Sequence, residues 1–348
     1  MPFRDIIGHE RSIAAIKSAL RHGRLAHAYL FHGEAHIGKF LSAVRLAQAL
    51  SCEDPDSIKD LDSCGACRSC LQIAARTHPD YAVIEPDREL AVPQIKIEHI
   101  REIEQQLIYR PLIGEKKICI IDDADRLTIG AANALLKTLE EPPSYGLFIL
   151  ISSRPMALPA TIRSRCQSLR FLPPASAQVE AALVLKRHLP PADAQFLALC
   201  CDGRIGEALA QDLDVLRAEQ RECLALVDPS TLGSITAILS AAETLAKDGR
   251  GGDVLNWLGR WIRDLILVLI GGDPKHLLHR DHLDKLAHYA KRADLDVLLE
   301  LSAEIDRIEQ QAARHPNMQM ALETVLLRLR DALGPSRPPA PVSPMSRS

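Results

Sequence analysis

The sequence predicts an α/β domain followed by an all-helical region, on the basis of two patterns and the composition. In the first half of the 348 residues, short apolar stretches alternate with segments of helical periodicity. Strands that are apolar along their whole length, separated by helices, indicate a parallel sheet covered on both faces. After Pro173 and Pro174 the periodicity is helical only. Aromatic residues make up just 4% of the chain, which also favours helix over sheet.

Four strands and three helices are expected in the α/β part. The strands are residues 28–31, 81–84, 118–121 and 147–151. The helices between them are residues 40–50, 97–109 and 131–139. Pro142 and Pro143 end the third helix, because a residue that precedes proline is disfavoured in helical conformation.

The patterns divide the chain into four parts. Residues 1–173 are the α/β domain and residues 174–214 a small helical unit. Residues 215–333 are a larger helical domain. Residues 334–348 are rich in Pro and Ser, and we expect them to be disordered because they have too few apolar side chains to form a core.

Charge and hydropathy exclude several classes of protein. The net charge is −3, so no overall positive field draws the chain to nucleic acid. A stand-alone DNA-binding protein would also need a basic strand with interspersed aromatic residues, which the sequence lacks. The first ten residues have no apolar signal segment, and the apolar run 265–270 is too short to span a bilayer. We therefore expect a cytoplasmic protein with no membrane attachment.

A phosphate-binding loop is predicted between the first strand and the first helix. Gly33, Gly38 and Lys39 match the G-x-x-x-x-G-K pattern, and the strand–loop–helix context is the one it requires. Backbone N–H groups would surround a phosphate, and Lys39 would reach it. The next residue is Phe40, where Ser or Thr normally ligates magnesium. The loop is thus predicted to bind ATP or ADP but not to support magnesium-dependent hydrolysis. The alternative is that these residues form an ordinary glycine turn that binds no nucleotide.

Acidic residues follow the third strand. Asp122 stands where a carboxylate can hold magnesium, directly or through water. Asp123 stands where hydrolysing relatives of this kind of site usually have Glu, and its shorter side chain would polarise water poorly. The alternative is a solvated acidic turn.

Four of the nine cysteines are clustered within residues 52–70. They are Cys52, Cys64, Cys67 and Cys70. Four thiolates at such short spacing suit a tetrahedral zinc ion with no open position, so the zinc would be structural. A redox pair or an iron–sulfur cluster is the alternative.

A single arginine is a candidate for catalysis in a neighbouring chain. Arg165 lies between Ser164 and Cys166, after a helical turn that begins near Pro159. An arginine held at a domain edge can stabilise charge that develops on the γ-phosphate of a neighbour's nucleotide. On these residues alone, a surface salt bridge is the favoured alternative.

Taken together, the motifs resemble the clamp-loader branch of the AAA+ ATPases over nearly the whole chain. Further stretches carry the resemblance: residues 5–9 (DIIGH), 25–31 (LAHAYLF), 78–80 (HPD), 133–143 (NALLKTLEEPP) and 161–166 (TIRSRC). Within that family the chain resembles subunits of the δ′ type, since ATP-hydrolysing γ/τ subunits keep Lys-Thr in the loop and Asp-Glu in the acidic motif. The resemblance also implies that Ser152 stands at a position able to contact a phosphate.

The resemblance implies a function as well as a fold. Residues 174–214 would be a lid, and residues 215–333 a collar that joins partner subunits. The partners would be γ/τ and δ subunits, the sliding clamp, and primer–template DNA through the complex. The chain would be a stator of DNA polymerase III with weak or absent ATPase activity, contributing Arg165 to a neighbour's site. The alternative is a hydrolysing γ/τ-like motor.

Overall fold

The computed structural model of the protein describes residues 2–90, 92–310 and 317–333. It contains two compact units, Met1–Ala210 and Gln211–Ser348. A lid separate from the α/β domain, with a boundary at residue 174, stays a prediction. The tail predicted to be disordered, residues 334–348, lies outside the described residues.

A parallel sheet of five strands is the centre of the first unit. The strands are β1 (Ala28–His32), β2 (Tyr81–Ile84), β3 (Lys117–Ile121), β4 (Gly146–Ser152) and β5 (Gln167–Arg170). Their order in the sheet is β2-β3-β4-β1-β5, and every neighbouring pair is parallel. The four strands predicted from the sequence are confirmed, and β5 was not predicted.

Helices cover both faces of this sheet, as the apolar strands predict. The helices of the first unit are α1 (Glu10–Arg21), α2 (Lys39–Ser51), α3 (Pro55–Lys59), α4 (Arg68–Ala74), α5 (Ile97–Leu107), α6 (Ile129–Glu140), α7 (Ala160–Arg163), α8 (Ser176–Arg187), α9 (Pro191–Cys200) and α10 (Ile205–Ala210). One core layer packs alternate strand residues against α5 and α6. The other packs the remaining strand residues against α1 and α2. The parallel α/β fold is therefore confirmed.

The described residues of the second unit are helical and contain no strand. Its helices are α11 (Leu213–Leu226), α12 (Pro229–Leu232), α13 (Ile235–Lys247), α14 (Gly251–Leu269), α15 (Leu283–Ala290), α16 (Leu295–Gln310) and α17 (Met318–Leu333). Trp257 and Trp261 of α14 are buried in the core of this unit. Across the described part of the chain, no helix is both long and apolar enough to cross a membrane.

Candidate functional site

The predicted phosphate loop joins the end of β1 to the start of α2. Gly33 has φ +150°, and a Cβ there would lie 2.2 Å from the carbonyl oxygen of Phe171. Gly38 has φ +105° immediately before the helix. Side chains are strained in this region of φ, so the backbone itself requires glycine at both positions. The loop therefore has the positive-φ glycines that the G-x-x-x-x-G-K pattern predicts for a phosphate-binding loop.

Lys39 is turned onto the loop itself. Its Nζ donates to the carbonyl oxygen of Gly33 at 2.8 Å and also to that of Glu34. Burial lowers the pKa of Lys39, against the opposing effect of the acidic residues nearby, beginning with Asp122. A bound phosphate would have to replace these two carbonyls as partners of the ammonium group.

Other contacts hold the same loop from outside. The carbonyl oxygen of His36 accepts a hydrogen bond of 2.9 Å from the backbone N–H of Gly206, in the first turn of α10. A Cβ on Gly206 would be only 3.0 Å from that oxygen, so α10 begins in close contact with the loop. On another side, His9 Nε2 lies 2.6 Å from the carbonyl oxygen of Ile37.

The side chain of Phe40 offers no ligand for a metal ion, and its surroundings are those of a packed ring. The guanidinium carbon of Arg76 lies 5.4 Å from the ring centroid. Arg76 in turn donates to both carboxylate oxygens of Glu85, at 2.8 and 2.9 Å. Thus the guanidinium of Arg76, which is already paired with Glu85, lies beside the position where a magnesium-binding hydroxyl would stand.

The acidic motif lies beside the loop at the carboxyl edge of the sheet. Burial, reinforced by neighbouring Asp123, raises the pKa of Asp122 to about 6. Asp123 adopts a left-handed conformation with φ 47°, and its N–H donates to Asp122 Oδ1 at 3.1 Å. The Asp123 carboxylate is therefore close enough to disfavour the ionised form of Asp122.

Ser152 at the end of β4 belongs to a network that the sequence did not indicate. Its hydroxyl donates to Asp125 Oδ1 at 2.7 Å, and Arg154 Nε donates to Asp125 Oδ2 at 3.1 Å. Burial acts to raise the pKa of Asp125, but these two hydrogen bonds outweigh it and the pKa is lowered. The structure thus brings Ser152 to the same edge as the loop, where it is already bonded to an acid.

The raised pKa of Asp122 predicts a change in stability with pH. Between about pH 4 and pH 6 the folded state keeps a proton that the unfolded chain releases, so the free energy of unfolding falls as pH rises. We expect Asp122→Asn to raise that free energy by about 2 kcal/mol at roughly pH 8, and the gain to vanish near pH 4. Urea denaturation of both proteins in EDTA, over this pH range, measures the effect. A gain independent of pH would contradict the assignment.

The four clustered cysteines come together at one place. Cys52 follows α2, Cys64 is in the loop, Cys67 caps α4 and Cys70 is in its first turn. Their sulfur atoms all lie within 4.8 Å of one another. Four sulfurs that each lie 2.3 Å from a tetrahedral zinc are separated by roughly 3.8 Å. This cluster can therefore hold a metal ion.

Backbone N–H groups point at these sulfurs. Cys64 Sγ accepts from the N–H of Ala66 at 3.4 Å and of Cys67 at 3.2 Å, and Cys52 Sγ accepts from the N–H of Cys64 at 3.4 Å. Burial acts to raise the pKa of the Cys64 thiol, but these donors lower it to about 7. None of the four forms a disulfide. These N–H groups thus favour the thiolate of Cys64, the form that binds metal, whereas burial raises the pKa of the Cys52 and Cys70 thiols.

Arg165 lies at the amino ends of the strands, whereas the phosphate loop lies at their carboxyl ends. It stands two residues before β5, whose first residue, Gln167, pairs with Tyr29 near the start of β1. The loop follows the other end of β1, and a five-residue strand is about 16 Å long. The guanidinium donates to Glu140 Oε1 at 2.6 Å and to the carbonyl oxygen of Thr161 at 3.0 Å. A nucleotide contacted by Arg165 would therefore belong to another chain.

Comparisons with known proteins show which family the chain belongs to. The family model described as "DNA polymerase III, delta subunit" matches residues 8–175. The model described as "DNA polymerase III, delta subunit, C terminal" matches residues 218–331. The delta′ subunit of DNA polymerase III from Escherichia coli K12 is 33% identical over 246 residues, which cover 70% of this chain and 71% of that protein. The chain belongs to the clamp-loader subunits of DNA polymerase III.

Other clamp-loader subunits match over a smaller share of their own length. The delta′ subunit from Pseudomonas aeruginosa is 39% identical over 49% of this chain and 50% of its own length. The tau/gamma subunit from Haemophilus influenzae is 33% identical over 73% of this chain but only 36% of its own length. The clamp-loader subunit described here thus spans half or less of these two relatives. A solved gamma-subunit-related protein from Thermotoga maritima covers 92% of this chain and 99% of its own, at a TM-score of 0.38 and 18% identity.

Proposed function

We propose that this clamp-loader subunit is of the δ′ type: a stator that helps load the sliding clamp onto primed DNA and supplies an arginine finger to a neighbour. The observation that carries the proposal is the position of Arg165. It is fixed at the edge of the sheet remote from its own phosphate loop, with its side chain 34% exposed. A guanidinium in that place can act on a γ-phosphate only across an interface between subunits.

The state of the chain's own nucleotide site supports the same assignment. Phe40 replaces a magnesium ligand and packs under Arg76. Asp123 replaces the longer acid that would activate water and is held in a left-handed turn. We infer that Gly33, Gly38, Lys39, Asp122 and Ser152 are the remains of a nucleotide site that can hold ATP or ADP without hydrolysing it.

The remaining parts have supporting roles in this proposal. The second unit is a collar that joins γ/τ and δ subunits, and the cysteine cluster holds a structural zinc ion. The sliding clamp and primer–template DNA are engaged by the whole complex in the cytoplasm. When bound, zinc supplies no chemistry to the reaction here, since four thiolates would leave it no open position.

The competing function is that of a hydrolysing γ/τ-like motor. It has support in the tau/gamma relatives, one of which is 33% identical over 73% of this chain. Phe40 and Asp123 argue against it, because each substitutes a residue with a direct part in hydrolysis.

Steady-state hydrolysis by the isolated chain separates these two functions. We expect no ATP turnover above that of Lys39→Ala, because water activation and magnesium binding are both impaired. A commercial phosphate-release assay on the full chain, with magnesium and with excess EDTA, measures it. Turnover that requires both Lys39 and magnesium would favour the motor and sink the stator assignment.

A further inference from the structure

A carboxylate at the end of α6 holds the arginine on which the proposed function depends. Glu140 is the last residue of α6, and its Oε1 accepts a hydrogen bond of 2.6 Å from Arg165 Nη2. The other terminal nitrogen of Arg165 donates to the carbonyl oxygen of Thr161 at 3.0 Å. The bond to Thr161 thus connects Arg165, which lies just after the one-turn helix α7, to that helix, and the bond to Glu140 connects it to the much longer α6.

The anchor is rigid because α6 is built into the core. Ala131, Ala132, Leu135 and Leu139 of this helix are buried. At its other end, the hydroxyl of Thr128 accepts from the N–H of Ala131 at 3.2 Å. A carboxylate at the end of such a helix has a defined position, and the carbonyl end of the helix favours a cation as well. An arginine without this partner would sample many rotamers.

The contact leaves the guanidinium able to bind a further anion. Arginine has five N–H donors, and only two are used by Glu140 and Thr161. The Arg165 side chain is 34% exposed, so its remaining donors are accessible from outside the chain. Glu140 thus restricts the direction of the side chain without using all of its hydrogen-bonding capacity.

We propose that Glu140 is a positioning residue, which orients Arg165 toward the nucleotide of the adjacent subunit. This inference rests on the proposed function, because it takes Arg165 to be the finger. The pair is too exposed to contribute much to the stability of the fold. Its effect should therefore appear in hydrolysis by the complex and not in the thermal unfolding of the chain.

The test uses the reconstituted clamp loader with full-length chains. We expect Glu140→Ala to lower DNA- and clamp-stimulated ATP hydrolysis roughly five-fold, with Tm changed by less than about 2 °C. Glu140→Gln keeps an oxygen that accepts the hydrogen bond and should retain most of the rate. Glu141→Ala is the matched control, because Glu141 is the adjacent exposed acid and Arg165 contacts Glu140 instead.

A double variant separates positioning from an independent effect. If Glu140 acts through Arg165, Glu140→Ala should cause no further loss in an Arg165→Ala background. A full wild-type rate for Glu140→Ala, or an equal loss in both backgrounds, would overturn the positioning role alone. A wild-type rate for Arg165→Ala would overturn the proposed finger and this inference with it.

Discussion

Replacing Arg165 by Ala is expected to lower the DNA- and clamp-stimulated ATP hydrolysis of the reconstituted complex by about 10³-fold. The guanidinium would no longer stabilise charge on the γ-phosphate in the neighbouring subunit. The loss should be in kcat, because this charge develops in the transition state. Single-turnover and steady-state ATPase measurements on complexes of equal composition give the effect.

The control for this variant comes from the same turn of chain. Arg163 is two residues earlier, and its Nη1 lies 3.0 Å from Met156 Sδ of its own chain. We expect Arg163→Ala to keep hydrolysis within about two-fold of the wild type, since surface substitutions seldom have larger effects. Both variants should assemble normally in size-exclusion chromatography. An unchanged rate for Arg165→Ala in a fully assembled complex would disprove the finger.

Joint replacement of Cys64 and Cys67 by Ser is expected to remove one zinc ion per chain and to destabilise the α/β unit. Two of four thiolates are lost, and metal binding contributes directly to the folding of such modules. We expect the Tm of the unit to fall by about 10 °C. Elemental analysis gives the zinc content, and calorimetry the unfolding temperature.

A cysteine outside the cluster provides the comparison. Cys223 is buried in α11 of the second unit. Cys223→Ala should leave the zinc content unchanged, although some packing is lost. Iron and acid-labile sulfide in the wild-type protein would favour an iron–sulfur cluster over zinc. A metal content that persists in Cys64→Ser/Cys67→Ser would contradict the assignment of the ligands.

Much of the sheet could be predicted because its strands are apolar. Strands β1, β3 and β4 are buried along most of their length and β2 at both of its ends, so each contains a continuous hydrophobic run. In contrast, β5 has Gln167, Ser168 and Arg170 around the half-buried Leu169. It is an edge strand that pairs only with β1, and its polar residues give no strand pattern.

The candidate site was predictable where its residues are close in sequence. Gly33, Gly38 and Lys39 form a local pattern, and their required backbone conformation can be deduced from residue type. Pairs such as Ser152 with Asp125 and Arg165 with Glu140 join residues that are more than twenty positions apart. Such contacts depend on how the strands and helices are arranged, which periodicity does not specify.

The opposite placement of Arg165 and the phosphate loop gives this subunit a polarity. Under the proposed function, the amino ends of its strands would donate a catalytic group, and the carboxyl ends would present a site that gains no activity from a donor on the next subunit. Head-to-tail contacts of this kind normally repeat until a ring or filament forms. A subunit that supplies an arginine finger but does not need one from its neighbour would stand at the end of such a row of subunits. We therefore expect one copy at a fixed end of the assembly, so that the order of subunits, and not symmetry, determines where hydrolysis occurs.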